Sequence, residues 1–238
     1  MRDKIKAAAI DLFIRHGLGN LTLGVVADEV GMSRPSIHYH FKTKARLAEE
    51  VLEDYARANL DRSRSIWLDP RASLRDKFER SLEFSRQRYL KYNPTGRGDR
   101  PWSLFARIHQ ESELMTPVMV TLLKGAARDQ EAYFGVAVEM AVAHGELVDE
   151  TPPAEVALQI VALVNQVGWL TWSSGSFEVV ERLYAATLHG LERAYGRGGV
   201  QPVKAVRGPR SGKTGATGVS GSTRGAGART KRDVGKAG

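Results

Sequence analysis

Cysteine is absent from the 238 residues, which excludes a disulfide framework, a thiolate metal centre and a cysteine nucleophile together. Uninterrupted hydrophobic runs are missing as well. The opening MRDKIKAAAIDLFIRHG sets Asp3, Asp11 and Arg15 where a signal peptide needs an unbroken apolar stretch. In the most apolar segment, Val156 to Trp172, Gln159, Asn165 and Gln166 intervene, and lipid accepts such amides poorly across the roughly 20 residues of a span. No alternating pattern surrounds an Asn-Gly or Asp-Gly turn, so no β-hairpin is indicated. Phosphate loops, metal-ligand spacings and nucleophile motifs are also lacking. The expectation is a soluble cytoplasmic protein that is not an enzyme and uses no membrane, metal or cofactor.

Charge is present but unevenly placed. The formal net charge is +8, yet residues 196–238 hold ten Lys+Arg against Asp233 alone, leaving 1–195 with 25 basic and 26 acidic residues. Twelve of the 24 Gly lie in that segment, which has no Leu, Ile, Phe, Trp, Tyr or Met. It cannot bury enough apolar surface to offset the entropy of ordering, so a disordered basic tail is expected. Such a tail either is a solvated extension or adds sequence-independent attraction to DNA phosphates.

Apolar residues recur at helical spacing elsewhere. Ile5, Ala9, Leu12 and Phe13 form a stripe stopped by Gly17; Leu47, Val51 and Tyr55 open a helix running to Trp67 before Asp69-Pro70. Leu74 to Tyr89 follow, and Asp99 with Pro101 restarts a helix carrying Trp102, Phe105 and Ile108. Thr116-Pro117 starts one reaching His144, Thr151-Pro152-Pro153 another, and Phe177 to Tyr195 form the last. About nine helices and no sheet are predicted, an all-α protein.

The most informative segment is LTLGVVADEVGMSRPSIHYHFKTK, residues 21–44. Thr22 caps a short helix through Val25, Val26 and Val30 that ends at Gly31, and Ser33 caps a second one. Helices joined so tightly cross steeply, and Ala27, Gly31 and Ile37 supply the small contact, the turn and the plug of a helix-turn-helix. IKAAAIDLFIRHG, this motif and HYHFKTKARL together resemble the DNA-binding domain of TetR (tetracycline-repressor) family transcriptional regulators over residues 5–51. The resemblance implies a three-helix DNA-binding head at 1–46, a helical ligand-binding and dimerisation body at 47–195, and a homodimer reading a near-palindromic double-stranded DNA operator.

A recognition helix shows its first turns to base edges, and here it begins Arg34-Pro35-Ser36. Arg34 suits guanine O6 and N7, the ring of Pro35 suits a thymine methyl, and Ser36 can donate to a base or phosphate. His38 and Tyr39 lie one turn on; His38 stands where the family usually has Tyr. Thr22, His40 and Lys44 match positions at which the family touches phosphates, whereas Phe41 reads as packing. Gly24 replaces an Arg that some relatives use to read bases.

Residues 153–172 are apolar on nearly every face, so this helix requires cover on two sides. A partner subunit is the economical second cover, with Leu158, Val161, Phe177, Val180, Tyr184 and Leu191 as the expected dimer interface. Trp102, Phe105, His109, Tyr133, Asn165, Trp169 and Trp172 are expected to line a pocket for a small-molecule effector. These expectations describe a ligand-responsive regulator, most often a repressor. The alternatives are an activator on the same scaffold or an architectural DNA binder that needs no effector.

Overall fold

Thr22, Ser33, Thr43, Ser73, Ser103 and Thr116 each begin a helix, their side-chain oxygens accepting a first-turn backbone N–H. Each such cap satisfies a donor that has no partner within the helix and contributes about 1 kcal/mol. In the computed structural model, which describes residues 1–197, nine α-helices follow one another and no strand occurs among the described residues. They are α1 (Arg2–Asn20), α2 (Leu23–Val30), α3 (Arg34–His40), α4 (Lys44–Trp67), α5 (Leu74–Tyr92), α6 (Leu104–Gln110), α7 (Pro117–Ala143), α8 (Pro153–Ser174) and α9 (Glu178–Tyr195). A single 3-10 turn, Ser112–Leu114, follows α6.

Residues 198–238, all but the first two of the segment expected to be a disordered tail, lie outside the described residues. Its first two residues, Gly196 and Arg197, are described. Arg197 pairs with Asp149 at 2.9 Å, and Gly196 bridges to Leu147.

Two helix limits depart from the periodicity. Gly17 adopts a left-handed φ of 80° but does not end α1; it kinks it, and one more turn follows. α6 starts at Leu104 rather than near Asp99, because Ser103 caps it. Trp102 stands outside the helix, held by its Nε1–H donating to Thr171 Oγ1 at 2.8 Å.

Two hydrophobic cores result. One gathers Ile5, Phe13, Val26, Ala27, Ile37 and Phe41 from α1–α3 and its border, closed by Leu47 and Val51 of α4. Leu104 and Ile108 of α6 and Met119 of α7 enter the same core. The other centres on Trp67, whose ring meets Phe78 and Phe134 edge-on at centroid distances of 5.4 and 4.7 Å. α4 supplies both, so the chain has no contact-free joint near residue 46. α8 is long and apolar enough to cross a membrane by composition alone, but Val156, Ile160, Leu163 and Val167 fix one side of it in the second core.

Candidate functional site

The helix-turn-helix is built by local chemistry. Gly31 turns the chain in the left-handed region (φ 67°), and Ser33 Oγ accepts the Ser36 N–H. Ile37, fully buried beside Ala27, anchors α3 from beneath, so the opposite side of that short helix faces outward. Arg34, Pro35, His38 and Tyr39 are exposed, Tyr39 by 85%. Ser36 is half-buried, its hydroxyl 2.8 Å from Ser33 Oγ; His40 is also half-buried. Phe41 is buried, as expected of a packing residue.

Thr22, Gly24, Arg34, His38, Lys42 and Lys44 line one surface groove that contains no acidic side chain. The groove thus unites four of the sequence-predicted residues and leaves Pro35, Ser36, Tyr39 and His40 outside it. Thr22 is exposed while its Oγ1 accepts the Val25 N–H. Gly24 has a physical role there, since a Cβ on it would stand 3.2 Å from Arg34 Nε. The missing side chain makes room for the guanidinium. Lys44 is only partly free: its Nζ donates to Leu18 O at 2.7 Å and Gly19 O at 3.3 Å, closing the end of α1. The neighbouring Lys42 is exposed and was not singled out by sequence reasoning. Nor was Arg2, which pairs with Glu50, donates to His40 O at 2.6 Å and lies 4.3 Å from the Phe41 ring centroid. Arg2 therefore bolts the end of α3 to α4.

A second site lies in the body. A cavity of about 100 Å³ opens between α4, α5, α6, α7 and α8. Trp102, Phe105 and Asn165 line it as expected, but His109, Tyr133, Trp169 and Trp172 do not. His109 is exposed, Tyr133 packs on the second core, and both tryptophans are 54% exposed. Sequence reasoning missed the polar lining, notably Asn59, Ser63 and Arg88. Among the described residues, Arg88 carries the cavity's only charged side chain. Its Nη1 donates to Asn59 Oδ1 at 2.6 Å, while the buried Nη2 has no hydrogen-bond partner. Burial, against weak help from Tyr92, lowers its pKa to about 10, so the guanidinium remains charged at neutral pH.

One short segment joins the two sites. Trp102, Phe105 and Ala106 wall the cavity. Leu104, next to them, enters the first core, and its N–H donates to Tyr55 Oη at 3.1 Å. A turn later Arg107 donates to His16 O at 3.2 Å. The Glu111 carboxylate accepts the Leu18 N–H and, at 3.3 Å, the Gly19 N–H. Those donors are free because of the kink at Gly17, where any Cβ would overlap the Glu111 carboxylate. α6 also lies close on α8, since a Cβ on Gly168 would come within 2.7 Å of Ala106 Cβ.

The expected dimer residues divide. Leu158 is 59% exposed and Val161 half-buried, Phe177, Val180 and Tyr184 lie in the chain's own core, and Leu191, buried in that core, also lines the groove between α8 and α9. What α8 and α9 turn outward is a shallow groove in which Ala162, Ala186, Gly190 and Ala194 alternate with larger apolar residues such as Leu183, Leu191 and Tyr195.

Residues 5–51 match the model of the bacterial regulatory proteins, tetR family. Over 54 residues the chain is 37% identical to the HTH-type transcriptional repressor KstR2 of Mycolicibacterium smegmatis, a match covering 23% of this chain and 26% of that protein. The sequence matches thus span about a quarter of the length of the curated relatives. The fold likeness extends much further. A TetR-family transcriptional regulator from Agrobacterium tumefaciens superposes with a TM-score of 0.69 at 17% identity, over 80% of this chain and 96% of that one. A transcriptional regulator from Saccharomonospora viridis, solved in complex with choline, gives 0.66 at 22% identity over 82% and 97%. The N-terminal residues 5–51 thus match the DNA-binding domain of the tetR family, and the all-helical fold around them is the one seen in solved TetR-family regulators.

Proposed function

We propose that the protein is a ligand-responsive repressor that binds a near-palindromic operator as a homodimer and releases it when a small molecule fills the body cavity. α6 carries this reading. The segment 102–111 is at once a wall of the cavity and the donor and acceptor of bonds to the end of α1. Whatever displaces that wall also disturbs the head that presents α3.

Arg34, Pro35 and His38 are the base-reading candidates on α3, with Ser36 and Tyr39 beside them. Thr22, His40, Lys42 and Lys44 are the phosphate candidates, Lys44 with one ammonium N–H left over from its two carbonyls. The small-residue groove of α8 and α9 lets a second α8–α9 pair approach closely, with Leu158 at its margin. A two-fold dimer then places two α3 helices one or more helical turns of DNA apart, without any catalytic step.

The experiment is selection of bound duplexes from random DNA, followed by a small-molecule screen for loss of binding to the selected site. A two-fold symmetric consensus and a saturable compound effect are expected. An asymmetric consensus would remove the dimeric operator reading. Operator affinity unmoved by every compound that enters the cavity would leave an architectural DNA binder.

A further inference from the structure

The cavity that the regulator reading assigns to an effector has a chemistry of its own. Among the described residues Arg88 is its only charged lining residue, and no Asp, Glu, Lys or His contributes to the wall. The guanidinium is surrounded by aromatic rings, with Cζ 4.9 Å from the Tyr55 centroid, 5.4 Å from Phe84 and 5.9 Å from Trp102. Those faces attract a cation without satisfying its N–H donors. One amide oxygen, Asn59 Oδ1, takes Nη1; Nη2 is left without an acceptor, and Ser63 Oγ on the same wall is also unpartnered. Buried polar groups are ordinarily paired, and a buried charge without a counter-ion is rarer and costlier still. Two orphan donors beside one uncompensated positive charge ask for an anionic acceptor. The remainder of the lining combines the apolar Ile66, Trp67, Phe84, Phe105 and Val164 with uncharged polar residues such as Ser85, Gln130 and Asn165.

We propose that the cavity binds a small organic acid, whose carboxylate pairs with Arg88 and Ser63 while its aryl or alkyl portion packs among Trp67, Phe84, Trp102 and Phe105. This rests on the reading of the cavity as the effector site and adds the class of molecule. A planar guanidinium fits a carboxylate through two parallel N–H donors, which a neutral amide or a quaternary ammonium cannot match. The cation inside the aromatic cage repels a cationic ligand. At about 100 Å³ the cavity is below the roughly 300–1,000 Å³ of drug-sized sites, so a compact acid is the fit.

The test is calorimetric titration of the full chain with butyrate, benzoate and phenylacetate, each beside its primary amide, and with benzyltrimethylammonium. At least one acid should bind about ten- to a hundredfold more tightly than its amide, in line with a charge-assisted hydrogen bond. In Arg88→Gln that preference should vanish while amide affinity stays, and Arg88→Lys should retain part of it. Ser63→Ala, which leaves the guanidinium in place, should weaken the acid alone and covers the case in which Arg88→Gln does not fold. Amides or the ammonium binding as well as the acids, no probe binding at all, or an acid preference that survives in Arg88→Gln would each overturn the assignment. Operator affinity measured alongside separates the two readings. An acid that binds without moving operator affinity leaves the anion site standing and counts against effector control. A neutral or cationic compound that releases the operator does the reverse.

Discussion

Gly24 and Arg34 explain each other. A side chain at 24 would crowd the guanidinium that the groove presents, so the glycine costs about 1 kcal/mol of helix propensity and leaves Arg34 its place. Arg34→Ala should cost about 1–3 kcal/mol on the selected operator and relax one base position per half-site; an unchanged consensus would remove Arg34 as a base reader. Gly24→Val should mimic that loss, because its branches occupy the space of Nε and Cζ. Lys42 and Lys44 are separable by two measurements. Lys42→Ala should lower the slope of log affinity against log salt by about one unit per subunit contact and leave the melting temperature alone. Lys44→Ala should lower the melting temperature as well, since it strips the acceptors Leu18 O and Gly19 O of a charged donor. Lys77 poses a different problem. It is 1% exposed, and its Nζ has only Met140 Sδ at 3.6 Å. Burial depresses its pKa, against opposing help from Glu146 and Asp69. A lysine whose folded pKa lies below its unfolded one binds more protons when unfolded. Stability should therefore rise as pH climbs through the window between the lowered value and 10.5. Lys77→Met should stabilise the fold at pH 7 by on the order of 1–3 kcal/mol and flatten that rise; thermal melts from pH 7 to 10 would show it.

Among the elements, α6 is the one whose position should be tunable without touching either site's polar groups. Gly168→Val adds bulk on α8 where Ala106 already sits at contact, and so should push α6 off α8. Operator affinity should fall without any ligand; an unaltered affinity in a folded variant would uncouple α6 from the head. Helix starts such as Thr22, Ser33, Thr116 and the stop at Gly31 were legible in the sequence because caps and left-handed turns are local chemistry. The start of α6 was not, because Trp102 is withheld from it by a bond to Thr171, 69 residues away. Arg88 escaped notice for a similar reason. On a helix with Arg75, Arg80 and Arg86 it reads as one more solvated cation, and only the packing of α4 and α8 encloses it. Hydropathy alone did not divide the two sides of α9: much of its apolar stripe fills the chain's own core, while the groove it shares with α8 mixes small residues with Leu183 and Leu191.

At the scale of the whole molecule, charge and response range are set by different parts. Residues 1–197 have 26 basic and 26 acidic residues, so the formal +8 resides in 198–238. Removal of that segment should weaken binding to random duplex DNA more than to the operator and flatten the salt dependence of both. Identical affinities and slopes across a salt series, with and without the segment, would show that it contributes nothing to DNA attraction. On the proposed effector-controlled reading, response range would belong instead to the handful of bonds between 107–111 and 16–19. An effector can alter operator affinity only by the free-energy difference between the head held by those bonds and the head released from them. Hydrogen bonds to charged groups contribute about 1.5–3 kcal/mol each net of water, so loss of one of them already matches the 1–3 kcal/mol usual for coupled sites, or about 5–150-fold. Under that reading the ratio of gene output with and without effector would have a ceiling, and tighter effector binding would lower the dose needed without raising it. Louder switching would require more contacts at Gly17, not a better ligand.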